Sequence, residues 1–275
     1  MILTLPTNYY QQFSGDTSKP YPAESYGGWK RADLPIDTET TAFVSMHAWD
    51  TGEDGEFPGW ERCVEYIPRA SRICRELTAP FLDKVRKAGM RIIHVAAPGQ
   101  TYAKYPGYQK TLDITGPAPD VYGEALPADG VVSELRSFKS KYSFVGDENA
   151  PDVNRGHADL DFNKYVRPKG DEHVVVTSNQ LFGLCRHYNI HHLIYTGFAI
   201  NMCLVSSPGG MIDMSRRGIF CSSVRELTAA VENRESNRGE KNKEYGLWYD
   251  ALLFGCVYNS ADLEKYVLDP LADKK

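Results

Sequence analysis

From Thr41 to Ala96 the chain spells out a strand, a helix and a second strand, and that succession limits the fold more than any other feature. Thr41-Ala42-Phe43-Val44-Ser45 is short, apolar and partly β-branched, the pattern of a strand buried in a sheet. From Arg69 onward Ile73, Leu77, Phe81, Leu82, Val85 and Ala88 recur at helical spacing, and Gly89 supplies a residue on which the helix can stop. Arg91-Ile92-Ile93-His94-Val95-Ala96 then reads as another buried strand. Two strands joined through a helix run parallel, because the crossover returns the chain to the end of the sheet where it began.

The pattern lapses between Pro98 and Gly170, a stretch interrupted by Pro106, Pro117, Pro119, Pro127, Pro151 and Pro168. It reads as an insertion over one end of the sheet, at about 98–172. Regularity returns with a strand from His173 to Thr177, a helix from Asn179 to His187, a strand from His192 to Thr196, a helix from Asn201 to Arg216 and a strand from Ile219 to Val224. The expectation is an α/β protein: a three-layer α/β/α arrangement around a doubly wound, mostly parallel sheet, with its site at the carboxyl ends of the strands. Residues 1–38, rich in Pro, Gly, Tyr and Ser without a sustained period, read as a surface arm on a single domain spanning 39–275. The last 30 residues read as a short helix, a strand and a tail.

Composition removes several classes of function. The net charge of −5 is spread over the chain, and the densest basic group, Lys84, Arg86 and Lys87, lies on a helix end, where cations complement the dipole. Nucleic acid is therefore not an expected partner. No apolar run approaches a membrane span and no signal-peptide pattern opens the chain, so no membrane association and a cytoplasmic location are expected. Six cysteines without a C-x-x-C pair suggest neither a disulfide framework nor a thiolate zinc site.

One of those cysteines stands apart. In Leu193-Ile194-Tyr195-Thr196-Gly197-Phe198-Ala199-Ile200-Asn201-Met202-Cys203 an apolar strand breaks at a glycine, and Cys203 follows where a new helical period begins. Unpaired N–H groups at such a turn stabilise a thiolate and can hold an oxyanion once it attacks a carbonyl. Packed elsewhere, the same residue would be a small core hydrophobe. In Phe138-Lys139-Ser140-Lys141-Tyr142-Ser143-Phe144, inside the insertion, a lysine brought close to Cys203 would favour the thiolate.

At these residues the sequence resembles the isochorismatase-like hydrolases, a superfamily of cysteine amidohydrolases. Gly197 to Leu204 is similar to the family's glycine-to-nucleophile turn, and Lys139 with Tyr142, Ser143 and Phe144 is similar to its lysine element, one residue shorter before the Phe. The resemblance runs from about Thr41 to Asn233. It implies that Cys203 is the nucleophile and Lys139 the catalytic lysine, with Lys141 as the alternative register. It also implies a cis peptide at Phe198-Ala199, an oxyanion hole from the N–H groups of Ala199 and Cys203, and a substrate pocket including Ser45, His47, Phe198 and Asn201. Family members are often oligomers, which implies a homo-oligomer. The aromatics Tyr9, Tyr10, Tyr21, Tyr26 and Trp29 of the arm would serve its interface or pack on their own subunit.

The sequence departs from the family at one point. Where the family carries Asp-Met-Gln or Asp-Met-Trp after its first strand, this chain has Ser45-Met46-His47. A serine hydroxyl does not exchange a proton at neutral pH as a carboxylate does. His47 and Asp50 are the nearby replacements, although Asp50, in Trp49-Asp50-Thr51-Gly52, equally suits a turn. His94, on an apolar strand, reads as a core histidine. The loop after Pro98 offers Gln100, Tyr102, Lys104 and Tyr105 where nicotinamidases carry metal-binding histidines, so no metal and no cofactor are implied. Two functions stay open: a Cys203 thioester hydrolase of a small amide, imide or carbamoyl compound, or a small-molecule-binding protein on the same fold without turnover.

Overall fold

A computed structural model describes residues 1–97, 100–121, 123, 125–158 and 160–274, with Gln100 and Thr101 described by their backbone alone. Eight strands form one sheet: β1 (Ile2–Gln11), β2 (Gly28–Asp37), β3 (Thr41–Met46), β4 (Arg91–Val95), β5 (His173–Val175), β6 (His192–Phe198), β7 (Phe220–Ala229) and β8 (Val257–Tyr258). Their order is β2-β1-β8-β7-β6-β3-β4-β5. From β8 to β5 every pairing is parallel, whereas β1 runs antiparallel to both β2 and β8. The parallel part thus starts at β3, in its middle, and winds outward first through β4 and β5 and then through β6, β7 and β8.

Helices cover both faces. After β3 come α1 (Pro58–Cys63), α2 (Ile67–Ile73) and α3 (Ala79–Ala88), the last two joined by a π-helical turn over Cys74–Thr78. Between β4 and β5 lie α4 (Pro106–Thr115), α5 (Gly130–Tyr142) and α6 (Ala150–Ala158). Beyond β5 follow α7 (Ser178–His187), α8 (Cys203–Ser206), α9 (Met211–Ser215), α10 (Lys241–Leu253), α11 (Ser260–Leu263) and α12 (Asp269–Ala272). The two-residue periodicity of the strands sorts their side chains between two cores. Phe43, Ile92 and Ile194 meet Phe81, Leu82 and Val85 of α3 on one face. Val44, Ile93, Val95 and Tyr195 meet Leu181, Leu184 and Met214 on the other. The three-layer, mostly parallel expectation holds, and among the described residues no helix is long and apolar enough to cross a membrane.

Four local expectations change. Residues 1–38 are not an arm but the hairpin β1–β2, which widens the sheet and buries Leu5, Thr7 and Ile36. Of its aromatics, Tyr10 and Trp29 pack on their own chain, Tyr10 lying edge-on to Trp29 at 5.5 Å and to Trp248 at 6.3 Å, whereas Tyr21 is exposed. Parts of the proline-rich stretch are helical, and two prolines are tolerated there because Pro106 occupies the first turn of α4, where a missing N–H costs nothing, and Pro151 lies near the start of α6. Helix α4 packs on β5 and α7 as an ordinary crossover helix, so the 98–172 segment is only partly an insertion. The helix expected from Asn201 to Arg216 is split into α8 and α9 by Pro208-Gly209-Gly210, with Gly209 at φ +79°. The C-terminal tail is helical and places Leu263, Val267 and Leu268 in the core.

Candidate active site

The cysteine turn is built on a glycine that nothing else can replace. Gly197, near the end of β6, has φ +111°, and a Cβ there would stand 1.9 Å from the Met46 carbonyl oxygen on β3. The Phe198–Ala199 peptide that follows is cis. The Ala199 carbonyl then accepts from the N–H groups of Met202 and Leu204, each at 3.1 Å, which folds the turn so that Cys203 becomes the first residue of α8. Asn201 braces the loop by donating from Nδ2 to the Val231 carbonyl and accepting from the Val231 N–H at Oδ1, both at 3.0 Å. Among the described residues, the N–H groups of Ala199 and Cys203 donate to no backbone or side-chain acceptor.

The end of β3 supplies the opposite wall. His47 adopts φ +49° and donates its N–H to the Val95 carbonyl at 3.0 Å, which turns the chain out of the sheet. Beyond it Trp49 bridges to Phe162, and the Asp50 N–H donates to the Asp161 carbonyl at 2.8 Å. His47 and Trp49 remain against the cavity, while the Asp50 carboxylate is held by Arg167 at 3.2 Å and caps the Gly52 N–H. From the far side, α1 and α6 contribute Trp60, Val153 and His157. These helices approach closely because Gly156 leaves room for the Trp60 ring, 2.3 Å from where a Cβ would sit.

A cavity of about 180 Å³ results, with Cys203, Phe198 and Met202 on one side and His47, Trp49 and Tyr66 among the residues around it. No Asp, Glu, Lys or Arg stands among its described lining residues. Dehydration sets the protonation of its histidines: burial pushes the His47 imidazole down to about 4 and lowers that of His157 as well. Both are neutral at pH 7. Burial, followed by Cys203 and Glu65, pushes the Tyr66 phenol up. The Nδ1 of His47 and the Nε1 of Trp49 are buried without a hydrogen-bond partner. Among the described residues no group of three His, Cys, Asp or Glu side chains is arranged to hold a metal ion.

Of the residues singled out from sequence, Cys203, Phe198 and His47 line this cavity, and Ala199 lies in the turn beside it. Lys139 does not: it sits on α5, a helix with no buried residue, and has no described partner. Lys141 does not line it either and faces Asp147 at 3.9 Å, although Phe144, which follows α5, does. The sequence did not show the helix at 130–142, and on it both lysines are exposed to solvent rather than lining the cavity. Asp50 is withdrawn by Arg167, and Asn201 acts on the loop rather than in the cavity. Ser45 is 1% exposed within β3 and does not line the cavity, its Oγ lacking a hydrogen-bond partner. Sequence reasoning missed Trp60, Cys63, Tyr66 and His157, because α1, the residues leading into α2, and α6 come from stretches read as loop and insertion.

No family model matches the sequence, and no curated protein matches it. Solved structures resemble the chain in fold at low identity. A cysteine hydrolase from Pseudomonas syringae pv. phaseolicola 1448A is 14% identical, with a TM-score of 0.48 over 88% of this chain and 97% of that one. A putative hydrolase of the isochorismatase family from Chromobacterium violaceum ATCC 12472 is 13% identical, with a TM-score of 0.46 over 88% and 98%. The nicotinamidase SaPncA from Staphylococcus aureus is 12% identical, with a TM-score of 0.38 over 80% and 98%.

Proposed function

We propose that this protein is a cysteine hydrolase of the isochorismatase-like kind, which opens a C–N bond of a small amide, imide or carbamoyl compound through a thioester on Cys203. The observation that carries this reading is the turn itself: a partly exposed thiol lines the cavity, and two free backbone N–H groups, of Ala199 and Cys203, stand in the same turn. In the first half-reaction His47 takes the thiol proton and the thiolate attacks the substrate carbonyl. The resulting oxyanion accepts from the two N–H groups. Collapse breaks the C–N bond, and the amine leaves with the proton from His47. Water then attacks the thioester, giving one proton to His47, and the thiol recovers it as the acid departs. A neutral imidazole lining the same cavity as the thiol is suited to this exchange, because a thiolate and an imidazolium stabilise each other.

Mass spectrometry after rapid quenching of wild type with a panel of simple amides, imides and carbamoyl compounds tests the reading. An acyl adduct on Cys203, lost in Cys203→Ala together with amine release, is the expected result. A second reading, a binding protein without turnover, is favoured by the position of Ser45 and by the uncharged described lining of the cavity. Ligand binding with neither adduct nor amine release from any substrate would select it.

A further inference from the structure

The lining of the Cys203 cavity is specific enough to narrow its substrate. Resting on the hydrolase reading above, we propose that the site accepts uncharged carbonyl compounds whose acyl side is a single apolar ring, and rejects those bearing a carboxylate or an ammonium on that ring. Three observations converge. The volume, about 180 Å³, suits one ring with its carbonyl, since apolar cavities of roughly 150 Å³ hold a benzene molecule. The walls are flat and aromatic: His47 and Trp49 stack at 4.7 Å, and His157 meets the Trp60 ring edge-on at 4.8 Å. With no charged side chain among the described lining residues, an ionised substituent would surrender its hydration and gain no partner.

The polar ring atoms of this wall belong to groups that carry no charge at pH 7. His47 Nδ1 and Trp49 Nε1 are buried and unsatisfied, and His47 is only 7% exposed. An indole N–H can only donate, whereas a neutral imidazole nitrogen donates or accepts according to its tautomer. The nearest acid of the β3 loop, Asp50, is already committed to Arg167 and would not pair with a substrate ammonium.

Benzamide, para-carboxybenzamide, para-aminomethylbenzamide and the uncharged para-acetylbenzamide, which matches the charged pair in size, provide the test. Their affinities are measured by calorimetry on Cys203→Ser, which separates binding from turnover. Benzamide and para-acetylbenzamide are expected to bind at least about tenfold more tightly than either charged analogue. In Val153→Lys, which adds a cation to the lining from α6, para-carboxybenzamide is expected to gain on benzamide. Equal or tighter binding of a charged analogue to Cys203→Ser, or no benzamide binding at all, would overturn the proposal. If benzamide binds selectively but wild type forms no acyl adduct with any amide, the selectivity stands and the hydrolase reading falls.

Discussion

The imidazole of His47 lies against the indole of Trp49, with ring centroids 4.7 Å apart and planes 22° from parallel. Two residues apart, these rings share one wall of the cavity only because His47 takes a left-handed backbone conformation as the chain leaves β3. The stack fixes the imidazole against the cavity and dehydrates it.

Replacing His47 by Gln keeps a polar side chain of similar reach but removes the proton carrier. Turnover should fall by about 10²-fold or more, the usual scale of general acid–base assistance, while thermal unfolding stays close to wild type. A variant with unchanged kcat would transfer the proton role away from His47, and His157 would be the next residue to replace.

The six thiols should separate sharply on limiting alkylation of the native protein. Cys74 and Cys185 are pushed up to about 12 and Cys256 to about 11, chiefly by burial, and Cys221 further still. Only Cys203 and Cys63 are partly exposed, and burial raises Cys63, whose thiol donates to the Trp60 carbonyl. Peptide mapping should find Cys203 modified first and Cys63 second. Early labelling of Cys74 or Cys185 would place the reactive thiol elsewhere.

Lys139→Met and Lys141→Met should each leave the pH dependence of Cys203 alkylation as it is in wild type, because both lysines stand on the outward helix α5. A shifted profile for Lys139 alone would return that residue to the site.

Acidification should unfold the protein earlier than its carboxylates alone would. Burial brings the imidazoles of His47, His173 and His192 from 6.5 down to about 4 in the folded chain, with Lys110 and Arg91 adding to the effect at His173. Between those values the unfolded chain binds more protons, so stability is full above about pH 6.5 and declines as the pH falls toward 4. Glu172 acts lower. Burial pushes its carboxyl up, but hydrogen bonds from His94 and Arg86 outweigh this and hold it at about 2, so its contribution fades from about 4.5 downward. Urea unfolding at neutral pH and near pH 5 checks the first step: a lower midpoint at the acid pH is expected. An unchanged midpoint would mean that these rings titrate as in water.

Much of this architecture was legible because burial on both faces leaves continuous apolar strands, as in β3, β4 and β6, and because Gly89 and Gly197 occupy backbone positions that require them. The β1–β2 hairpin escaped notice because an edge strand needs no apolar run: Pro6, Pro35 and alternating polar residues fit a ribbon whose outer side meets water. Helices α1, α4 and α6 were hidden by prolines that begin helices as readily as they break them. At the site, Cys203 was legible from one local turn. Its companions Trp60 and His157 were not, because they enter from elements separated by 97 positions in the sequence. Such meetings depend on packing rather than on any local spacing.

The hairpin has a consequence for how the molecule holds together. Its backbone joins the parallel sheet at a single rung, Asn8 to Val257, and its firmer hold is through side chains, with Leu5 and Ile36 sharing a core with Leu263, Val267 and Leu268. The first strand is thus clasped by the last helices, across nearly the whole length of the chain. Closing so long a loop is slow compared with forming the local βαβ units. The edge of β8 should therefore be the last part of the sheet to be covered in refolding, and deleting residues 260–272 should release the opening hairpin even though it lies at the opposite end of the sequence.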